Sequence, residues 1–127
     1  MADALAERTR ERDRLIELAR RYVQGLARRR PLVAAVVVGS VARGDFNVWS
    51  DVDVVVVAEH LPERAPERGA VLVEEAPGGV QPIGFTPDEF REALRRGNPL
   101  AREAVISGVV LLGAEFFRRS AADAAPS

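Results

Sequence analysis

Two apolar runs, Leu32 to Val38 and Val52 to Ala58, constrain this chain more than any other feature. Each is too short for a helix of a domain, is rich in valine, and lacks the alternation of a half-solvated strand. Each therefore reads as a strand buried on both faces. Such strands need helices above and below them, and the flanking sequence supplies helical patterns. From Ala4 to Arg30, Leu15, Leu18, Tyr22 and Leu26 recur at three- and four-residue steps, with Ile16, Ala19 and Val23 widening the stripe, until Pro31 ends it. The charges on its remaining face read as solvated, and Arg28 to Arg30 suit the negative end of the helix dipole. A helix over Arg64 to Glu75 is chosen over a hairpin strand at Ala70 to Glu75. Val80 to Phe85 is a third strand, and Pro82, which cannot donate to a ladder, points to a sheet edge or an irregularity. Thr86-Pro87-Asp88-Glu89 combines an N-cap hydroxyl, a proline at the first helical position and a glutamate at N3, so a helix begins there and runs to Arg96. A helix from Pro99 to Ser107, a short strand from Val109 to Leu112 between Gly108 and Gly113, and a helix from Ala114 follow. The tail 121–127 is expected to fray. The sum is an α/β sandwich in one domain, 1–127, with an N-terminal helix over 1–30.

Composition narrows the chemistry. The 127 residues carry 18 Lys+Arg against 19 Asp+Glu, a net charge of -1, which lacks the basic surface of a general nucleic-acid binder. Cysteine is absent, excluding disulfides, thiol nucleophiles and zinc-thiolate sites. Every basic residue is arginine, so neither a Walker lysine nor a Schiff base is available. The start, Met1-Ala2-Asp3, shows no signal-like apolar segment and no run approaches the ~18 residues of a membrane span. A soluble cytoplasmic protein, binding neither membrane nor nucleic acid, is the expectation.

One stretch looks built for more than folding, from Gly39-Ser40-Val41-Ala42-Arg43-Gly44 to Ser50-Asp51-Val52-Asp53. The Gly-Ser pair at a strand end lets backbone amides approach an anion, with the Ser40 hydroxyl as a further donor. Asp51 and Asp53, one residue apart on a strand, share a face roughly 6.5–7 Å apart along the backbone, where two carboxylates can hold a hard cation. Asp53 also interrupts an apolar strand, and an ionised carboxylate there is costly unless an ion or a donor compensates it; Mg²⁺ would do so. Each piece has an ordinary alternative: a strand-to-helix turn at Gly39-Ser40, a turn or strand-start residue at Asp51, a buried pair between Asp53 and Arg43.

This stretch resembles the signature of the nucleotidyltransferase superfamily, most of all its minimal single-domain members. The detailed resemblance covers about residues 32 to 58 and extends more weakly to about residue 113. It implies a short mixed β-sheet flanked by α-helices, with a nucleoside triphosphate and Mg²⁺ at its active edge. By the same resemblance Gly39 and Ser40 hold the triphosphate, with Ser50 and Arg43 beside it, and Asp51 and Asp53 are the catalytic metal ligands. Arg43 serves equally well as structural support. The reaction implied moves a nucleoside monophosphate, AMP from ATP, onto a hydroxyl and releases pyrophosphate. Phosphoryl chemistry needs alignment and charge neutralisation more than covalent help, which suits this set of residues.

The sequence departs from the family pattern where a third carboxylate from a later strand is usual. Alignment puts Gln81 there, and a neutral amide is neither a base nor a strong metal ligand. Glu74 or Glu75 could supply the charge only if Ala70 to Glu75 were a strand. Elsewhere, His60 is the single histidine and reads as a polar residue at a strand exit, while Phe46 and Trp49 are expected to pin their loop to the core rather than stack on a base. Gly108 and Gly113 read as turns. The leading expectation is an Mg²⁺-dependent nucleotidyltransferase acting on a hydroxyl of a partner protein or small molecule, with a HEPN-type helical protein as partner and the chain as its antitoxin. The alternative is a nucleotide- or partner-binding module that has lost turnover with its third carboxylate. An aminoglycoside-type transferase would need an acceptor domain for which the chain has little room. A homodimer through a strand edge or the first helix is open but not demanded.

Overall fold

The computed structural model describes residues 2–47, 49–74 and 76–125; Val48 of the motif and Glu75 lie outside the described residues, as do 126 and 127 of the tail. The elements follow in the order α1 (Ala2–Arg29), β1 (Ala34–Val38), α2 (Gly39–Arg43), β2 (Val52–Val57), α3 (Ala65–Val73), β3 (Val80–Phe85), α4 (Pro87–Arg95), α5 (Pro99–Ile106), β4 (Val109–Leu112) and α6 (Ala114–Ala124). The sheet order is β3-β2-β1-β4. β1 pairs antiparallel with β2 and β4, while β2 and β3 are parallel, so the sheet is mixed. Pro82 lies on the edge strand β3, where only one side of the backbone must bond.

The two central strands are covered on both faces. On one, Ala35, Val37, Val54 and Val56 pack with Leu15, Ala19, Tyr22, Val23 and Leu26 of α1, Val41 of α2 and Leu72 of α3. On the other, Val36, Val38, Val55 and Val57 meet Phe90 and Leu94 of α4, Ala101 and Ala104 of α5 and Phe117 of α6. Each buried valine contributes about 1.5–3 kcal/mol relative to exposure. Phe90 is fully buried and meets Phe85, Phe116 and Phe117 edge-on at centroid separations of 5.5 to 5.8 Å. The Tyr22 hydroxyl donates to the Leu72 carbonyl at 2.7 Å, tying α1 to α3. α4 starts with the expected capping box, Glu89 N–H donating to Thr86 Oγ1 at 3.2 Å and Thr86 N–H to Glu89 Oε1 at 2.7 Å.

Three expectations need correction. Residues 121–124 do not fray but continue α6, because Ser120 is buried and Ala124 packs against the second core cluster. The charged face of α1 is not merely solvated: Arg12 donates from Nε to the Val41 carbonyl at 2.9 Å and from Nη2 to that of Ala42 at 2.8 Å. Arg8 donates to the Gly44 and Phe46 carbonyls, with its guanidinium 4.5 Å from the Phe46 ring centroid. Trp49 does not pin its loop; Phe46 is buried as expected, but Trp49 is 88% exposed. Among the described residues no helix is long and apolar enough to cross a membrane.

Candidate active site

The motif occupies the connection between two antiparallel neighbours. Because β1 ends where β2 begins, with Val38 opposite Asp53, the turn after β1 is carried onto the first residues of β2. That turn is a short helix, α2, opened by Gly39 with φ +77° and closed by Gly44 with φ +88°. Both values lie in the left-handed region that glycine enters without the Cβ penalty. Gly39 has a second reason to lack a side chain, since a Cβ there would stand 2.5 Å from Asp53 Oδ2. The turn and the carboxylate are therefore in direct apposition.

Asp51 immediately precedes β2 and is exposed; Asp53 is its second residue and is half-buried. Burial pushes the Asp53 carboxyl above the usual aspartate range, the charges of Asp51 and Glu103 push it the same way, and Arg43 opposes them. No donor among the described residues hydrogen-bonds the Asp53 carboxylate. A cation beside Asp51 and Asp53 would relieve both the burial and the repulsion, and paired carboxylate oxygens are the hard donors that Mg²⁺ prefers. Among the described residues, no group of three or more His, Cys, Asp or Glu side chains could hold a metal ion. Two carboxylates would fill only part of the coordination shell of a hard cation, which takes six or more oxygen ligands.

The remaining motif residues are distributed around this pair. Ser40 is half-buried, its carbonyl accepting the N–H groups of Gly44 and Asp45, and its hydroxyl has no partner among the described residues. Arg43 does not bridge the aspartates: Nε donates to Asp45 Oδ2 at 3.2 Å and Nη1 to Glu103 Oε1 at 3.0 Å. Ser50 Oγ accepts from Asn47 N–H at 2.9 Å, and Asn47 Oδ1 accepts from Trp49 N–H at 2.8 Å. This fixes the turn leading into Asp51. A cleft of about 310 Å³ opens beside it, lined by Arg14, Leu18, Trp49, Ser50, Asp51 and Gly79 among others.

Gln81 stands directly across from Asp53 in the parallel β2–β3 register and is exposed. Paired residues of adjacent strands share a face, so the amide lies on the same sheet face as the Asp53 side chain. Glu74 caps the C-terminus of α3, which packs on the opposite face of the sheet. His60 lies beyond β2, and its carbonyl accepts from Arg30 Nη1 at 3.0 Å. Glu103 of α5 was not foreseen. It reaches the site from sixty-four residues beyond Gly39, and no local pattern in the sequence connects the two.

A model of the nucleotidyltransferase domain family matches residues 19–108, well over half of the chain, including all of α2, Asp51 and Asp53. Among solved structures, a crystal structure of a candidate nucleotidyltransferase from Sulfolobus solfataricus is similar, with TM-score 0.60 and 23% sequence identity over 81% of this chain and 84% of that one. At that identity the likeness speaks for the fold, a mixed four-stranded sheet with flanking helices. No curated protein matches the sequence.

Proposed function

The chain belongs to the nucleotidyltransferase domain family, and from that membership we propose that it transfers AMP from ATP to a hydroxyl group in an Mg²⁺-dependent reaction. The observation that carries this reading is the apposition of the Gly39 turn and the Asp53 carboxylate, which gathers anion-facing and cation-facing groups at one point. Asp51 and Asp53 would hold the metal, which supplies alignment and neutralisation of the charge developing on the phosphates. The Ser40 hydroxyl, which has no partner among the described residues, would donate to the triphosphate, Arg43 offsets the surrounding acidic charge, and Ser50 fixes the approach to Asp51. The acceptor oxygen bonds to the α-phosphorus as the bond to the bridging oxygen breaks, pyrophosphate leaves and the hydroxyl proton passes to solvent. The resemblance to minimal family members supports a helical HEPN-type protein as acceptor and an antitoxin role for the chain.

One observation favours a second reading. With Gln81 beside Asp53, no carboxylate at that position takes the proton of the attacking hydroxyl. A module that binds Mg-nucleotide and covers a partner without turnover fits the same geometry. Incubation with Mg²⁺ and α-labelled ATP, with and without HEPN-type proteins and small hydroxyl compounds, separates the two. Covalent label that disappears in Asp53→Asn supports the transferase. Binding without transfer supports the module, and absence of nucleotide binding refutes both.

A further inference from the structure

α5 returns one acidic side chain to the site. Glu103 is 20% exposed, and its Oε1 accepts both the Gly39 backbone N–H at 2.8 Å and Arg43 Nη1 at 3.0 Å. These donors are the first and last residues of α2. A single carboxylate oxygen therefore fastens both ends of a five-residue helix that has no side-chain N-cap of its own, because Val38 occupies that position. Asp45 steadies Arg43 from the other side at 3.2 Å.

We infer that Glu103 is a positioning residue for nucleotide binding, bracing the Gly39 turn against Asp53 so that Ser40 and the aspartate pair engage one triphosphate. This rests on the reading of the site as an Mg-nucleotide site. Three observations support it. The Gly39 N–H, half-buried at the head of α2, finds its partner only in Glu103 among the described residues. Little freedom remains in the turn, since the Gly39 position stands against Asp53 Oδ2. Glu103 also adds a third negative charge near Asp51 and Asp53, an electrostatic cost that helix packing between Ala101 and Ala104 does not require. The competing role is an anion placeholder, a carboxylate that holds these donors until phosphate displaces it.

The test uses the full chain and the variants Glu103→Gln, Glu103→Ala and Glu103→Asp. In amide-resolved NMR spectra the Gly39 proton should be shifted downfield in the wild type and in E103Q, whose Oε1 still accepts both donors. It should return towards ordinary values in E103A and in E103D, which is too short to reach both. Titration calorimetry with Mg-ATP and with Mg-tripolyphosphate should then show E103A and E103D weakened about tenfold or more for both ligands, with E103Q within about threefold of wild type. E103D keeps the charge, so it carries the comparison if E103A does not fold. Tighter binding by E103A would establish the placeholder and overturn the brace; equal binding by E103A and E103D, or E103Q weakened as much as E103A, would overturn the brace alone. A wild type that binds neither ligand removes the nucleotide reading and this inference together, whereas a binding wild type with unaffected E103D removes the inference alone.

Discussion

Replacing Gly39 by alanine separates two contributions that a second glycine in the same motif lets one measure independently. Gly39 and Gly44 both have left-handed φ, so alanine at either costs about 1 kcal/mol of backbone strain. At Gly44 nothing lies within 4 Å of the added Cβ, and the cost ends there. At Gly39 the Cβ meets Asp53 Oδ2, while the next atoms of that side chain lie at 3.5 and 3.6 Å. The carboxylate must turn off its rotamer, at about 0.5–1.5 kcal/mol more. With an unfolding entropy of about 2.1 cal/mol/K per residue over the 127 residues, G39A should lower Tm by about 7 °C and G44A by about 4 °C. The displaced carboxylate should also cost roughly 10²-fold in nucleotidyl transfer, with G44A close to wild type. Scanning calorimetry of both variants, repeated in an Asp53→Ala background, isolates the contact: the excess penalty of G39A should vanish there. Equal Tm losses for G39A and G44A, or an excess that persists without the carboxylate, would refute the reasoning.

Asp53→Asn should raise Tm in metal-free buffer at neutral pH. A carboxyl whose folded pKa is raised makes the protein less stable as pH climbs from the unfolded value through the folded one, so the gain should disappear below the ordinary aspartate range; a gain independent of pH would contradict it. Gln81→Asp places a carboxylate across from Asp53 and should increase label transfer by about 10²-fold or more if the site turns over; a folded variant with unchanged transfer would show that position 81 does not face the reacting hydroxyl. Thr86→Ala removes one half of the α4 capping box and should cost about 1 kcal/mol, whereas Thr86→Ser should cost only a few tenths; equal losses in thermal melts would count against the cap.

The sheet was legible because each strand carried its own evidence. The valine runs could only be central, Pro82 marked an edge, and Thr86-Pro87-Asp88-Glu89 contained a complete capping motif within four positions. Asp51, Asp53 and Gly39 were legible as a spacing, whereas the pairing of Gln81 with Asp53 is a property of the β2–β3 register. The features that escaped depend on distance or on context. α2 is too short for any helical period to show, so beyond a strand-to-helix turn at Gly39-Ser40 its extent was not legible. Glu103 follows Arg102 in an ordinary helical sequence and meets the Gly39 N–H only when α5 packs beside the end of β1. Arg8 and Arg12 looked like ordinary surface charge because carbonyl acceptors leave no trace in a sequence. Trp49 escaped for the opposite reason: apolarity argued for burial, but the residue is exposed and its backbone N–H donates to Asn47 Oδ1.

The antiparallel pairing of β1 with β2 has a consequence for how this site can change over time. A contiguous hairpin brings its own anion cradle and acidic pair, whereas the residue flanking Asp53 on β3 comes through a separate crossover. On the proposed reading, substitution at position 81 would change turnover without touching the hairpin that carries Asp51 and Asp53, so nucleotide binding and transfer would be free to vary separately.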